Sequence, residues 1–314
     1  MPSPQADVTI VIVNWNTRQL LLDCLAALPA ATEGIKAETW VVDNGSVDSS
    51  VAAVQEAFPE VQIIANSDNR GFATANNQAI RASDGRHVLL LNSDTIAQPA
   101  SITRLVHFLD AHPDVGIVGS RLLNADGSLQ RSWALFPNLL TELVGKKLRL
   151  RWRYPTINGT IAYSTDWIDG AVLMIRRGIL GQVGLMDERY FMYTEEVDWC
   201  YRTRQAGWKV CYLTASEVIH FGGQSSKRSA TRMKAELYLS KLRFFGKHYG
   251  DLARTTLGVG LQTIFLGKAT LGGIILLATA AKHPTGHAFT RDGALLLMAV
   301  QRHTWRRPVA EEIR

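Results

Sequence analysis

The chain is predicted to fold as an α/β protein: a Rossmann-like, mostly parallel sheet with helices on both faces, followed by a C-terminal helical segment. Three observations carry that expectation. Short apolar runs alternate with stretches of helical spacing from Val8 to Ser120, joined by short turns, as in successive βαβ units. Two of the runs stop at carboxylates, Asp43 and Asp94, and the strand ends of such a sheet share one crevice. Beyond residue 230 the strand pattern gives way to long, basic, helix-forming stretches.

The elements follow in order. Val8–Val13 is the first strand, ending at Asn14-Trp15-Asn16. Thr17–Leu28 has helical apolar spacing with Pro29 after it. Thr39–Val42 is a second strand stopped by Asp43-Asn-Gly-Ser46, and Ser46 is expected to cap a helix through Phe58. Val61–Ala65 and His87–Leu91 are strands on either side of a helix over Gly71–Ser83; the latter strand ends at Asn92-Ser93-Asp94. A helix over Ser101–Ala111 and a strand over Val115–Val118 complete the regular part. Asn124-Ala-Asp-Gly127 reads as a hairpin turn. Residues 133–165 mix Trp, Pro and the basic run Lys146–Arg153, and irregular structure is expected there, the basic run facing diphosphate, lipid headgroups or solvent. Trp167–Ile175 reads as a strand, Glu195–Ala206 as a helix closed by Gly207, and Trp208–Leu213 as a strand.

At 314 residues, with 46% hydrophobic and 20% charged residues, the chain can bury a large core in one or two domains. Its three cysteines, Cys24, Cys200 and Cys211, form no CxxC, which disfavours disulfides and a zinc site. The opening residues have no basic or apolar signal region, so no secretory signal is expected. The net charge of +6 is uneven: residues 221–314 hold 15 Lys/Arg against 5 Asp/Glu, and residues 1–220 hold 19 against 23. A catalytic domain over 1–230 and a basic, apolar helical segment over 231–314 are therefore expected. Thr255–Gly267 and Ala269–Ala281 are uncharged and separated only by Lys268. A span needs about 20 apolar residues, yet Gln262, Lys268 and five glycines favour a helix lying in a membrane interface. Packing on the catalytic domain or on a second subunit is the alternative. The tail's charge comes without a nucleic-acid recognition motif, so no nucleic-acid partner is expected.

The polar stops carry the chemistry. Asp94 can ligate a hard divalent cation such as Mg²⁺ or Mn²⁺, with Asn92 and Ser93 beside it, and such a cation bridges a diphosphate. Asp43 is placed to accept from a nucleobase imide or ribose hydroxyl. Arg70, just before the helix, can reach a base or phosphate. Asn76 and Asn77 sit inside that helix at a cost in stability, which points to a polar role. Glu195 and Glu196 open a helix and point about 100° apart, so one of them faces the substrate as general base. Asp198 and Arg202 are spaced as a helix-face pair. His220 can complete a metal site with its imidazole. Trp167, Asp169 and Gly170 offer an aromatic face, a carboxylate and close backbone approach to a sugar acceptor.

In this order the segments VIVNWN ending at Asn16, VVDNGS ending at Ser46, NRGF at Asn69–Phe72, LNSD ending at Asp94, Gly170-Ala171, the Asp187–Asp198 block and His220-Phe-Gly-Gly resemble the family 2 glycosyltransferases, especially the bacterial rhamnosyltransferase-like branch. The resemblance covers roughly residues 7–225. It implies a type A glycosyltransferase fold, a nucleotide-diphosphate sugar donor, a divalent cation (Mg²⁺ or Mn²⁺) and inversion at the anomeric carbon. It makes Asp43 a nucleoside contact, Asp94 a metal ligand, His220 a ligand of metal or diphosphate, and Glu196 the base before Glu195; Asn14, Asn16, Arg70, Asn77, Asn92 and Ser93 are expected to line the same nucleotide-sugar site. The family's second acid is usually Asp; here it is the longer Glu196. The family's Asp-X-Asp begins here with Asn92. Together with the tail, the resemblance implies rhamnose transfer from a deoxythymidine- or uridine-diphosphate donor to a glycan or polyprenyl-diphosphate-linked acceptor. That work belongs to wall or surface polysaccharide synthesis, on the cytoplasmic face of the membrane or in the cytoplasm. The rivals are a nucleotidyltransferase, disfavoured by the lack of a Gly-rich loop followed by Lys, and a catalytically silent nucleotide-sugar-binding protein of the same fold.

Overall fold

The computed structural model describes residues 6–145, 162–222, 230–278 and 284–304. The basic run at 146–153 lies outside them. The chain divides into two compact units. The first holds residues up to Phe136, then 153–191 and 195–228. The second holds 137–152, 192–194 and everything from Ser229. The helical unit therefore recruits two short segments from within the chain as well as the tail from Ser229.

The first unit opens with β1 (Val8–Asn14), α1 (Arg18–Ala31), β2 (Ala37–Asn44), α2 (Ser50–Ala57), β3 (Gln62–Asn66), α3 (Phe72–Ala82) and β4 (His87–Asn92). β5 (Thr95–Ala97), α4 (Ser101–Ala111), β6 (Val115–Leu123), β7 (Leu129–Gln130) and β8 (Trp133–Ala134) follow. Then come β9 (Ala162–Thr165), β10 (Trp167–Ile168), β11 (Val172–Arg176), α5 (Leu180–Val183), α6 (Glu195–Gln205) and β12 (Lys209–His220). Ten strands join in one sheet whose main path runs β3-β2-β1-β4-β11-β6-β12-β5, with β7 on β6 and β9 on β12. β8 and β10 form a separate antiparallel pair.

The sheet is mixed, and its first four strands have the expected parallel order. β1, β2, β3 and β4 pair in parallel, but β11 lies antiparallel between β4 and β6. β1 and β4 are buried almost throughout, as expected for strands covered on both faces. Two clusters form the core on opposite faces. One packs Ile10, Ile12, Leu89 and Leu91 under α1 and α4. The other packs Val11, Leu90, Leu173 and Trp199 under α3 and α6. Alternation along β1 and β4 places odd and even residues in different clusters, as the pleat demands. Each fully buried Leu or Ile contributes roughly 1.5–3 kcal/mol.

Register brings the polar stops together. Asn14 is paired with Asp43 across β1 and β2, and Val13 with Asn92 across β1 and β4. The Asn92 N–H donates to the Ala171 carbonyl at 2.9 Å. β12 runs parallel to β6 but shifts register between Leu213 and Glu217. Before the shift it pairs with β9, and after it with β5, where His220 faces Thr95. The bulge therefore delivers His220 beside Asp94. Ser216 within it is held by the Ser101 carbonyl at 2.9 Å and the Ser120 hydroxyl at 2.7 Å.

Several expected boundaries move. Pro29 lies inside α1, in its last turn. α2 starts at Ser50 rather than near Ser46, whose hydroxyl is used elsewhere. The stretch Trp167–Ile175 is two strands, broken at Asp169-Gly170-Ala171. Gly119 on β6 allows the break to pack: a Cβ there would lie 2.0 Å from Ile168 Cγ2. The hairpin at Asn124–Gly127 forms, with the Gly127 N–H on the Asn124 carbonyl at 2.9 Å.

The second unit is helical. α7 (Ala230–Ala278) is broken at Gly250, whose φ of 86° is outside the helical region, and α8 (Pro284–Thr304) packs along it. Lys241 donates to Glu142 at 2.6 Å, and the Tyr249 hydroxyl to the Pro137 carbonyl at 3.0 Å, which ties in residues 137–145. One helical stretch, Met233–Leu277, is long and apolar enough to cross a membrane by length and composition. Leu252, Val259, Leu266, Ile274 and Leu277 on it are exposed.

Candidate active site at the strand ends

The donor-side residues form an interlocked cluster after β1 and β2. Asp43 is 2% exposed, with Oδ2 accepting from Asn14 Nδ2 at 2.9 Å and Oδ1 from the Ser46 N–H at 2.8 Å. Asn14 Oδ1 accepts from the Thr17 hydroxyl at 2.7 Å, and that hydroxyl lies 2.9 Å from Ser93 Oγ. Asn16 adopts φ 55°, a conformation Asn tolerates. Its N–H donates to Ser46 Oγ at 2.8 Å, and its Oδ1 accepts from the Val47 N–H at 2.8 Å. Asn14 and Asn16, expected to touch the donor, thus also shape the loop that presents Asp43, and Ser93 meets that loop through Thr17. Each Asp43 oxygen keeps a second lone pair for a ligand donor. Ser46 is the cluster's missed member; its place in DNGS suggested a helix cap.

Arg70 is half-exposed and sits 3.5 Å from Asp68. Asn77 is fully buried, with Nδ2 donating to the Met186 carbonyl at 2.8 Å and Glu188 Oε1 at 2.9 Å. Its Oδ1 accepts from the Met186 N–H at 3.1 Å. Both amide hydrogens are used on the segment before α6.

Asp94 and His220 meet after β4 and β12. Asp94 Oδ1 lies 3.3 Å from His220 Nε2, and the Phe221 N–H donates to the Asp94 carbonyl at 3.0 Å. His220 Nδ1 lies 2.6 Å from Gln130 Oε1, and Gln130 Nε2 donates to the His220 carbonyl at 3.2 Å. Gln130 Oε1 can only accept, so the Nδ1 proton is fixed and Nε2 turns to Asp94 and the Asn92 amide, 3.5 Å away. Burial opposes the charged imidazolium, but the hydrogen bond and charge of Asp94, with the charge of Asp169, outweigh it and raise the His220 pKa. Gln130 was invisible in sequence, 90 residues from its partner.

Asp94 and His220 supply an oxygen and an oriented nitrogen. Among the described residues no group of three or more His, Cys, Asp or Glu side chains could by itself hold an ion. That donor set suits an open site, where substrate oxygens and water complete the shell of a hard cation.

The acids form the third corner. Glu195 is buried and Glu196 half-buried at the start of α6. The place where a Gly170 Cβ would stand lies 3.5 Å from Glu196 Cβ and 3.6 Å from Phe72. Neighbouring Asp169 donates its N–H to the Ser132 carbonyl and accepts from the Ala171 N–H on Oδ1 at 2.9 Å. Desolvation, then the charges of Glu195 and Asp169, hold the Glu196 carboxyl well above its ordinary pKa. Asp169 is raised too, chiefly by burial. Crowded carboxylates of this kind favour retention or capture of a proton at one of them. Asp198 does pair with Arg202, at 2.8 Å. Trp167 is half-buried, its indole N–H on the Leu135 carbonyl at 2.9 Å.

Residues 4–238 match the sequence profile described as "Glycosyltransferase like family 2". The chain is 30% identical over 269 residues to the N-acetylglucosaminyl-diphospho-decaprenol L-rhamnosyltransferase of Mycobacterium tuberculosis, covering 79% of this chain and 87% of that one. It is 25% identical over 269 residues to the low-salt glycan biosynthesis hexosyltransferase Agl10 of Haloferax volcanii, covering 81% of each. Its fold is similar to that of the mannosyltransferase PcManGT from Pyrobaculum calidifontis, solved with GDP-Man and Mn²⁺: TM-score 0.54, 18% identity, 98% of this chain and 90% of that one.

Proposed function

The chain belongs to glycosyltransferase family 2 and has the type A glycosyltransferase fold, and from that premise we propose that it transfers a sugar, rhamnose first, from a nucleoside-diphosphate donor to a polyprenyl-diphosphate-linked or glycan acceptor with inversion. The observation that carries the reading is Glu196: it stands beside Gly170 and is moved toward proton capture first by desolvation, then by the charges of Glu195 and Asp169. A general base works best with a pKa near the operating pH, and this pocket moves a carboxylate in that direction.

Asp43 takes the nucleoside, with Arg70 at the rim. Asp94 and His220 would hold the divalent cation, Mg²⁺ or Mn²⁺. When bound it supplies positive charge where the diphosphate leaves. Asp169 and Trp167 orient the acceptor. Its hydroxyl oxygen attacks the anomeric carbon, the bond to the diphosphate breaks, and Glu196 takes the hydroxyl proton. The rhamnose and lipid-linked acceptor assignments draw support from the name of the Mycobacterium tuberculosis relative. Action at the cytoplasmic face of a membrane draws support from the exposed apolar residues of α7 and the basic tail.

Calorimetric binding of UDP, dTDP and GDP, each with and without Mn²⁺, tests the donor site. One nucleotide should bind in a metal-dependent way that Asp94→Ala abolishes. Binding of none would reduce the reading to a likeness of fold. Flotation with anionic liposomes tests the membrane contact: the triple change Leu252→Glu, Leu266→Glu, Ile274→Glu should abolish it, and equal flotation of the variant and the natural chain would reject it.

A further inference from the structure

The segment from Val183 to Phe191, ahead of the two acids, is gripped from two sides. α6 takes three consecutive carbonyls: Arg202 donates to Val183 and, at 2.8 Å, to Leu185, while the Trp199 indole N–H donates to Gly184 at 2.9 Å. α3 takes the next part. Asn77 closes a two-way bond with the Met186 backbone and reaches Glu188, which Arg81 also holds at 2.8 Å. The Phe72 N–H, at the start of α3, donates to the Phe191 carbonyl at 2.9 Å.

That last contact requires Gly71. Its φ is 84°, and a Cβ there would stand 2.5 Å from the Phe191 carbonyl oxygen. The Gly71 carbonyl in turn accepts from Asn44 at 3.2 Å, next in chain to Asp43. Just past Phe191, Tyr193 and Thr194 take φ of 67° and 73°, strained for side-chain-bearing residues, and Glu195 follows. Phe72 and Glu196 both border Gly170. The segment is thus a strap between the helix that starts at the donor loop and the helix that carries the acids.

We propose that Asn77 is a positioning residue: by locking Met186 and Glu188 to α3, it fixes the strap and so sets Glu196 against Gly170 and the acceptor. This rests on the glycosyltransferase reading for its catalytic consequence, but its structural half stands alone. A core amide with both hydrogens and its oxygen committed to one segment has no equivalent after truncation, because the Met186 N–H and carbonyl are left buried without it.

The test compares Asn77→Ala and Asn77→Asp with the natural chain. Asn77→Asp keeps an acceptor for the Met186 N–H but loses both donors and sets a carboxylate against Glu188. Hydrogen exchange over residues 184–196, measured without substrate, should speed up at least tenfold in both variants, while the β1 and β4 amides stay protected. Turnover should fall at least tenfold in kcat, nucleotide affinity should stay within twofold, and the acid limb of the pH–rate profile should move. Unchanged exchange over 184–196 would overturn the strap. Lost nucleotide affinity with kcat preserved would return Asn77 to the donor site. Should either variant fail to fold, Glu188→Ala, which removes the acceptor shared by Asn77 and Arg81 and leaves the Met186 bonds in place, should show the same local exchange pattern to a smaller extent; its absence there would also overturn the strap. Absence of turnover in the natural chain, with the exchange effect intact, would fault the glycosyltransferase reading and leave the strap standing.

Discussion

The sheet carries a His–Asp pair at each end of β4, and the two pairs are electrostatic opposites. At the start of the strand His87 Nε2 lies 3.0 Å from Asp110 Oδ1. At its end Asp94 lies 3.3 Å from His220. Arg86 joins the first pair, 2.7 Å from Asp110 and 2.8 Å from Asp7. Burial first, then the Arg86 and Arg176 charges, lower the His87 pKa against the pull of Asp110. The second pair feels Asp169 as well as Asp94, and the His220 pKa is raised. The same two residue types make a neutralised brace in one place and a negatively biased pocket in the other. A surplus of negative charge at a strand-end crevice is what a cationic partner requires.

Removing each aspartate gives the largest expected contrast. Asp94→Ala should lower kcat/KM by about a thousandfold or more, since it deletes a proposed metal ligand, with little change in melting temperature. Asp110→Ala should leave kcat/KM within about twofold and cost about 1–3 kcal/mol, because buried His87 loses its acceptor and Arg86 keeps only Asp7. Steady-state kinetics and denaturant unfolding of both variants check this. Reversed outcomes would exchange the roles of the two pairs.

The base pocket sharpens the contrast by pH. Glu196 is raised, so a base there is ionised only above the ordinary carboxylate range, and kcat/KM should climb with pH through that raised value. Glu195→Gln removes a neighbouring charge. The climb should then move to lower pH, with a rate loss of tenfold or less where both enzymes are fully ionised. Glu196→Gln should cost about 10²–10⁴ in kcat where Glu196 is ionised in the natural chain, and should abolish the climb with pH. A profile that Glu195→Gln leaves in place would locate the titrating group elsewhere.

The two histidines also predict opposite signs in stability. His87 has a lowered folded pKa, so the unfolded chain binds its proton more readily, and this stabilising difference is lost as pH falls through the ordinary histidine range. His220 has a raised folded pKa, so its contribution is present at low pH and lost as pH rises through the folded value. Melting temperatures between pH 5 and 8 should therefore fall less on acidification in His87→Gln than in the natural chain, and more in His220→Gln. Parallel curves for the two variants would remove the distinction.

Local pattern exposed most of the strands and the polar stops at Asp43, Asp94 and His220, because an apolar run that meets an Asp or Asn marks a strand end on its own. Non-local choices left no such mark. Nothing in VLMIR declares that β11 inserts antiparallel between β4 and β6; pairing direction depends on the route of the whole chain. The bulge that carries β12 from β9 to β5 is spread over Thr214–Ser216, which reads as continuous strand. Asn77 announced a polar role through its cost inside a helix, but its partner lies 109 residues away. Gln130 looked like an ordinary strand residue until His220 was placed against it. Gly250 ends one helix of the tail and begins another, and here the sequence does mark the place: the charged residues Lys247, Asp251 and Arg254 separate an amphipathic stretch over 231–250 from the apolar one that starts at Thr255.

The smallest effect expected belongs to Arg70, where neither pair's logic applies. Its side chain is 48% exposed and its partner Asp68 69% exposed, at 3.5 Å. Solvent and salt screen such a pair, so Arg70→Gln should change stability by only about 0–1 kcal/mol. Any function it has must come from a ligand. It sits one residue before Gly71, whose carbonyl is tied to Asn44 beside Asp43, so the backbone at its base is fixed while the guanidinium reaches into solvent beside Asp68. A guanidinium that meets a donor phosphate or base only in the complex adds binding without acting in the chemical step. Arg70→Gln should therefore raise the donor KM about three- to tenfold with kcat within twofold, and the increase should shrink as salt is raised from 50 to 500 mM, about the range over which the Debye length falls from more than 10 Å to a few Å. An unchanged donor KM would mark Arg70 as a solvated surface residue and confine donor recognition to the buried cluster around Asp43.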